Sequence, residues 1–447
     1  MIKSPPEWYA DSLNQSRIHE TGEITRRVPE IEVQARWFSG EFGTDWVSQD
    51  GVGLRIVDFG EWNREPGPDF TGATIQLADG TILRGDVEID TDVRDWERHG
   101  HVQNASFGRT VLHVFSHLPE SRFFTKTHEN RFVHQVLLPP ISAIRGRSDP
   151  PPGISICSSE CDASALLIAA ARYRLHRKAQ ALHGCASACG EDAAWYRAIA
   201  VALGYKANKL PFLLLAERCG RSLAAKPTGE ALLFGTAGFL SGAEPALTPE
   251  PTRAYLKSLW SDWWMLRATN ERLVIDTGLW SMGGNRPANH PHRRVAALGA
   301  LAKSWKPVAA ALRAGDREKF AKALQQLEHP FWSVHFNLHA APLKTPQSLI
   351  GTQRLQDIIT NVFYPAAMMR GESIWEQFLA EAGTTVSRSH EMLVDRFFRG
   401  VAIDRKFLKS CVHQQGLLQL DGDFLSAPDP MLFAENLRTR MLETPYQ

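Results

Sequence analysis

The chain has 447 residues, more than one hydrophobic core usually supports, so two or three domains are expected. A composition of 43% hydrophobic and 22% charged residues is that of a globular protein and argues against a chain dominated by disorder. The net charge of +1 excludes a generally basic nucleic-acid-binding chain, and no apolar run has signal-peptide or membrane-spanning length, which favours a cytoplasmic protein without a membrane partner.

The first 142 residues predict one helix followed by strands. Apolar residues at helical spacing after Pro29 predict a helix over 29–38. The "ADGT" turn at 78–81 contains Asp-Gly, a strong hairpin signal. Period-two alternation predicts five strands, at 53–60, 70–77, 81–90, 109–116 and 131–140.

The rest of the chain predicts helices. Three consecutive prolines at 150–152 predict a linker over 146–160. No fixed-period repeat follows, which favours an irregular helical domain over a regular solenoid. The predicted helices cover 162–184, 191–204, 211–220, 229–240, 251–269, 292–305, 316–327, 353–363, 373–383 and 390–401. The predicted fold is therefore α+β, with an N-terminal α/β domain at 1–145 and a helical domain at 161–447.

The third predicted strand carries three acids on one face. Alternation places Asp86, Glu88 and Asp90 together, about 6–7 Å apart along the strand. Carboxylates so close repel one another, so they need a compensating partner. One interpretation is a solvated sheet face, with Asp69 in a turn after Pro68. The other is a metal site that Asp69 joins from the neighbouring strand.

The order of these elements resembles the core of the PD-(D/E)XK nuclease superfamily. Glu30 on the first helix, Pro68-Asp69 before one hairpin arm and Glu88-x-Asp90 on the other arm match the order and spacing of that core. The resemblance implies a mixed sheet of about five strands with flanking helices, followed by a larger helical domain. It also implies a metal-dependent endo- or exonuclease acting on nucleic acid, with DNA as the expected substrate.

A closer resemblance is to a functionally uncharacterised bacterial family whose N-terminal region looks like this nuclease core. The resemblance covers most of the chain, and the combination of motifs is specific. The motifs are Asn63 with "GPDF" (67–70), "GDVEI" (85–89), "DWERHGH" (95–101), "VLHVF" (111–115), "ALGYKANKLPF" (202–212), "LLFGTAGFL" (232–240), "NRPANHPHRR" (285–294), "IITNVFYP" (358–365) and "QQGLLQL" (414–420).

These resemblances imply a site in which Asp69, Glu88 and Asp90 hold Mg²⁺ or Mn²⁺ while Glu30 orders a metal-bound water. Position 90 departs from both patterns, because the superfamily usually has Lys there and the closer family usually has His. An ionised Asp accepts hydrogen bonds but cannot donate them. The site is therefore expected either to be impaired, leaving a silent nucleic-acid-binding or scaffold protein, or to use Asp90 as a ligand or take a donor from elsewhere. A hydrolase for another phosphate ester is a third alternative.

The candidate donors and nucleic-acid contacts form two groups. Near the acids they are Arg84, Arg98, His99 and His101. As metal ligands, the two histidines favour Mn²⁺ or Zn²⁺ over Mg²⁺; the alternative is two ordinary loop histidines.

The second group lies before a predicted helix, where free amides and arginines bind phosphate. The alternative is that these arginines are solvated or paired with acids. The group consists of Arg286, Arg293 and Arg294.

Four cysteines offer a further metal site. Two C-x3-C pairs can bind structural Zn²⁺ as thiolates, whereas spacing of four also places small apolar residues on one side of a helix. The four are Cys157, Cys161, Cys185 and Cys189.

Overall fold

The computed structural model describes residues 7–16, 30–38, 42–63, 67–118, 123–138, 155–205, 207–240, 250–283, 287–338, 340–370, 374–426 and 430–443. These residues form two compact units. The first unit contains the described parts of Met1–Cys189 and Met368–Gln447, and the second contains those of Gly190–Ala367. The segment predicted as one helical domain, 161–447, thus contributes to both units. Residues 146–154 of the predicted linker lie outside the described residues.

The first unit contains a mixed sheet of seven strands among its described residues. The strands are β1 (Asp45–Val47), β2 (Gly53–Asp58), β3 (Glu61–Trp62), β4 (Phe70–Leu77), β5 (Ile82–Asp92), β6 (Thr110–His117) and β7 (His134–Leu137). Their order is β1-β2-β4-β5-β6-β7, and β3 pairs with β4. All pairs up to β4 and β5 are antiparallel, whereas β5, β6 and β7 are parallel.

The predicted α+β class is confirmed, and the sheet has two strands beyond the five predicted. The additional strands β1 and β3 contain three and two residues, too few to show period-two alternation. The hairpin between β4 and β5 lies where the "ADGT" turn predicts it. In this turn, the Thr81 amide donates to Asp79 Oδ1 at 2.9 Å.

The helical prediction is confirmed for the larger, C-terminal part of the chain. The helices are α1 (Glu7–Ser16), α2 (Glu30–Phe38), α3 (Asp95–Arg98), α4 (Glu160–Cys189), α5 (Glu191–Leu203), α6 (Lys209–Ala224), α7 (Gly229–Thr236), α8 (Glu250–Asn270), α9 (Pro291–Lys303), α10 (Trp305–Ala314), α11 (Arg317–Gln325), α12 (Thr352–Ile358), α13 (Tyr364–Met369), α14 (Trp375–Ala380), α15 (Arg388–Phe397), α16 (Cys411–Ser426) and α17 (Pro430–Glu443). A π-helical stretch, Ile359–Phe363, joins α12 to α13.

Helix α4 continues past the predicted end at Gly184. A Cβ at this position would lie 3.2 Å from the ring of Phe59 beside the sheet, so the glycine permits close packing and does not end the helix. Among the described helices, none combines the length and the apolar character needed to cross a membrane.

Strand β5 lies at the centre of the sheet, between β4 and β6. Its apolar residues Val87 and Ile89 pack in a core that includes Val33 and Trp37 of helix α2. The acids on the opposite face of β5 are buried as well. The fold therefore brings the first turn of α2 and the start of β4 close to a row of buried carboxylates.

Candidate metal centre

Asp69 and Glu88 lie side by side in the hairpin. The Asp69 amide donates to Glu88 Oε2 at 3.0 Å, and the Ile89 amide donates to Asp69 Oδ2 at 2.9 Å. Glu88 lies in the interior of β5 and Asp69 directly precedes β4, so the antiparallel pairing of these strands brings the two carboxyl groups together. The structure thus places the two principal predicted metal ligands in one cluster.

Helix α2 supplies the next part of the site through Gln34. Its Nε2 donates to Asp69 Oδ1 at 2.7 Å and to Glu30 Oε1 at 3.2 Å, while its Oε1 accepts from Trp62 Nε1 at 3.3 Å. Gln34 is one helical turn after Glu30, so the same helix face presents both side chains. One amide therefore links the predicted helix acid to the hairpin.

The acids on β5 do not form a solvated sheet face, because Asp86, Glu88 and Asp90 are all buried. They also have different partners. Asp86 Oδ1 accepts from the amide of Gly72, whose left-handed backbone (φ +72°) lies at a register shift between β4 and β5. Asp86 therefore stabilises the bulge, whereas Glu88 and Asp90 face the cluster.

A buried polar row extends from the acids across the parallel strands. In register, Glu88 of β5 lies beside His113 of β6, which lies beside Gln135 of β7, so all three side chains leave the same face. Gln135 Nε2 donates to Thr125 Oγ1 at 2.8 Å, and Thr125 Oγ1 lies 2.7 Å from His113 Nδ1. His113 Nε2 lies 3.1 Å from Asp90 Oδ2.

This row determines the hydrogen at His113. The Asp90 carboxylate can only accept, so the ring hydrogen is assigned to Nε2, and the Thr125 hydroxyl, which accepts from Gln135, donates to Nδ1. Burial lowers the pKa of His113, which agrees with a neutral imidazole. Asp90, of which 1% is exposed, is thus held from inside the sheet by an oriented donor.

The loop after β5 brings two more histidines to the acids. Helix α3 ends at Arg98, and the left-handed Gly100 (φ +75°) turns the chain into a 3-10 segment, His101–Gln103. His99 Nδ1 lies 3.3 Å from Asp90 Oδ1. One ligand atom from each of Asp90, His99 and His101 lies within 4.8 Å of the others.

His101 is packed in place by aromatic rings. Its imidazole stacks on Phe107 with 3.9 Å between ring centroids and meets the edge of Trp96 at 5.4 Å. Nε2 lies 3.1 Å from Glu88 Oε1, but the geometry is not that of a hydrogen bond, and this buried nitrogen has no hydrogen-bond partner. It is therefore an unsatisfied nitrogen directed at the carboxylates.

Three acids of the cluster have raised pKa values. Burial, followed by the neighbouring charge of Glu88, raises the pKa of Asp69 to about 9. Burial and the charge of Asp90 raise the pKa of Glu88 to about 9. The pKa of Glu30 is also raised, by burial and then by Asp90. No lysine or arginine in the described part of the chain forms an ion pair with Asp69, Glu88 or Asp90.

The donor atoms fit a divalent cation. Adjacent carboxylate oxygens are the ligands that Mg²⁺ and Mn²⁺ bind, and imidazole nitrogen suits transition metals. Bound between them, such an ion offsets the charge that Asp69 and Glu88 carry once ionised, which burial otherwise disfavours.

The predicted arginines near the acids lie elsewhere. Arg84 is exposed on β5, four residues and about 13 Å along the strand from Glu88. Arg98 Nη1 donates to Asp95 Oδ1 at 2.9 Å. Neither arginine therefore takes the place of the hydrogen-bond donor, Lys or His, that is usual at position 90.

The arginines of α9, in the second unit, are buried. Arg293, 1% exposed, donates to the carbonyls of Trp332, Gln347 and Ser348 at 3.0–3.1 Å. Arg294 donates to the Leu349 carbonyl at 3.0 Å and to Asn289 Oδ1. Neither guanidinium is accessible to a nucleic-acid backbone, and Arg286 lies outside the described residues.

The four cysteines do not come together. Cys161 lies in the first turn and Cys185 near the end of the continuous helix α4, which at 1.5 Å per residue separates them by about 36 Å. One zinc ion cannot bind both. Cys185 and Cys189 are neighbours, with 3.7 Å between their sulfur atoms, as spacing of four on a helix dictates.

Sequence reasoning missed Gln34 and His113. Gln34 follows Glu30 by four residues, which is a helix-face signal. His113 is a polar residue inside the apolar stretch "VLHVF", and a polar side chain in a central parallel strand signals a buried hydrogen-bond partner. The role of Thr125 has no comparable signal, because it lies outside the regular strands.

Comparison with known proteins identifies the family of the chain. A family model described as "Protein of unknown function (DUF2851)" matches residues 33–141 and 155–390, most of the chain. No curated protein matches, and no solved structure matches. The predicted membership of an uncharacterised family is confirmed, whereas the nuclease resemblance has no counterpart among these matches.

Proposed function

The chain belongs to the DUF2851 family, whose function is unknown, and we propose that it is a divalent-metal-dependent phosphodiesterase acting on nucleic acid. The observation that supports this proposal is the pairing of Asp69 with Glu88 next to Asp90, in a cluster without a lysine or arginine partner among the described residues. Buried carboxylates in this arrangement need a positive partner, and their oxygens are the ligands that a hard cation binds.

The residues of the chain divide the work as follows. Asp69 and Glu88 bind the cation, which when bound offsets charge on the phosphate and lowers the pKa of a water ligand. Glu30, held through Gln34 next to Asp69, lies where its carboxylate can accept a proton from the attacking water. DNA is the proposed substrate, and Mg²⁺ or Mn²⁺ the proposed cofactor.

The alternative is a silent nucleic-acid-binding or scaffold protein, and Asp90 is the observation that favours it. Both oxygens of Asp90 face histidine nitrogens, and an ionised carboxylate cannot donate to the phosphate as a lysine would. Positive charge at this position has to come from another part of the site for catalysis to proceed.

A cleavage assay with matched variants separates these functions. The purified chain is incubated with duplex DNA, single-stranded DNA and RNA, each with Mg²⁺, Mn²⁺ or EDTA. Metal-dependent cleavage that is lost in Asp69→Asn and Glu88→Gln supports the enzyme. Asp86→Asn is the matched control, because Asp86 has the same burial on the same strand but binds the Gly72 amide. Binding without cleavage under every metal condition supports the scaffold.

A further inference from the structure

We propose that Asp90, His99 and His101 form a second cation site beside the Asp69–Glu88 pair, specific for a borderline transition metal such as Co²⁺ or Zn²⁺. The inference goes beyond the proposed function, because it specifies a metal class and does not require nucleic acid as the substrate. Two imidazoles and one carboxylate are donors that favour transition metals over Mg²⁺.

The distances suit a single ion. Nitrogen and oxygen ligands lie about 2.0–2.2 Å from such a metal, so two donors of one ion are at most about 4.4 Å apart. The ligand atoms of Asp90, His99 and His101 lie within 4.8 Å of one another. Small side-chain rotations close this difference. The remaining positions around the ion are open to water or substrate.

The backbone explains why both rings face Asp90. His99 and His101 flank Gly100, whose left-handed conformation turns the chain between α3 and the following 3-10 segment. The two ring centroids lie 5.4 Å apart with their planes at 71° to each other, and each ring places a nitrogen within 4.8 Å of an Asp90 oxygen. A residue with a side chain is strained in the conformation of Gly100.

Asp90 is oriented as metal-binding carboxylates are. Its Oδ2 accepts from His113, which Thr125 fixes in turn, and its Oδ1 faces His99. Hydrogen bonds of this kind behind a ligand fix its direction and strengthen metal binding. The buried row on β6 and β7 thus leaves one oxygen of Asp90 for an ion.

The ring nitrogen Nε2 of His101 lies beside a carboxylate but forms no hydrogen bond with it. This buried atom lies 3.1 Å from Glu88 Oε1, but the geometry is not that of a hydrogen bond, so this contact leaves the nitrogen without a hydrogen-bond partner. An unsatisfied buried nitrogen carries a desolvation cost. A cation that accepts its lone pair removes this cost. Under the proposed function, the same cation brings positive charge to the position where a lysine is usual.

Cobalt substitution tests the site without an activity readout. The metal-free full chain is titrated with Co²⁺, and the visible d–d absorption of the bound ion and its displacement by Zn²⁺ are measured. We expect stoichiometric binding in the wild type and at least 100-fold weaker binding in His99→Ala, whose half-exposed side chain is removable without disturbing the core. His101→Gln is the second ligand variant. His117→Ala, which removes an exposed histidine of β6, is the control and should bind as the wild type does.

Two more variants separate this inference from the proposed function. His113→Gln should weaken Co²⁺ binding about 10- to 100-fold, as loss of an orienting partner does. Glu88→Gln should keep the cobalt spectrum while losing metal-dependent cleavage. Histidine-dependent cobalt binding without any cleavage rejects only the nuclease proposal. Cobalt binding that is unchanged in both His99→Ala and His101→Gln, or a thiolate charge-transfer band that shows binding at cysteine, overturns the second site.

Discussion

The backbone amide of Asp69 donates to Glu88 Oε2 at 3.0 Å, although the two residues are 19 positions apart in the chain. The reciprocal bond runs from the Ile89 amide to Asp69 Oδ2 at 2.9 Å. The hairpin itself therefore fixes two buried acidic groups next to each other. Under the proposed function, this arrangement lowers the stability of the metal-free fold and provides affinity for a cation.

Glu88→Gln is expected to stabilise the metal-free protein. The change removes a buried acid whose pKa is raised mainly by burial, so that folding no longer has to keep this group protonated, and it retains an oxygen that accepts the Asp69 amide. We expect the free energy of unfolding to rise by about 1–2 kcal/mol, as measured by urea denaturation in EDTA. Asp86→Asn, on the same face of β5, should give no such gain. A Glu88→Gln protein less stable than the wild type would contradict the proposed cost of burying this acid.

The stability of the metal-free protein should fall as the pH rises from about 5 to 9. Both Asp69 and Glu88 have folded-state pKa values raised to about 9 from ordinary values of 3.8 and 4.5. Between these limits the folded state binds more protons than the unfolded state, so the free energy of unfolding decreases with pH. Thermal unfolding in EDTA across this range measures the slope, which should be smaller in Glu88→Gln. A slope equal to that of the wild type in this variant would count against the raised values.

Metal binding should release protons at neutral pH. A coupled pair with raised pKa values retains a proton near pH 7, and a cation must displace it to bind both carboxylates. Calorimetric titration with Mn²⁺ in buffers of different ionisation enthalpy measures this release. The observed enthalpy should depend on the buffer for the wild type and less so for Glu88→Gln. A buffer-independent enthalpy would show that the carboxylates are ionised before the ion binds.

Arg293→Ala is expected to destabilise the second unit. The buried guanidinium donates to three backbone carbonyls, and its removal leaves them without these donors. The expected loss is about 3 kcal/mol or more. Arg267→Ala, which breaks the exposed pair between Arg267 of α8 and Glu271, should cost under about 1 kcal/mol. Equal effects of the two changes on unfolding by urea would contradict the structural role of Arg293.

The fold was predictable where the sequence carries a period. Alternation along 81–90 predicted β5, and the "ADGT" turn predicted its hairpin partner, because both signals are local. Strands β1 and β3 are too short to carry a period, and their place depends on partners distant in sequence. The predicted helix end at Gly184 is wrong because this glycine packs against Phe59, a tertiary contact that the sequence does not show.

For the site, the sequence predicts which side chains share one face of strand β5. The pattern of Glu88 and Asp90 shows that both leave one face of a strand, but it does not show that this face is buried. The pattern also does not show that Asp86 accepts a hydrogen bond from Gly72 and so stabilises the bulge there. The support from His113 depends on the register between β5 and β6, which a single sequence does not reveal.

A crystal of the full chain soaked in Mn²⁺ tests the central claim most directly. The anomalous signal locates the metal independently of any activity. We expect a peak within coordination distance of both the Asp69 and the Glu88 carboxylates, and no such peak between them in Glu88→Gln crystals soaked alike. Wild-type crystals that show no manganese between these two carboxylates, at concentrations that saturate the protein in solution, would contradict it.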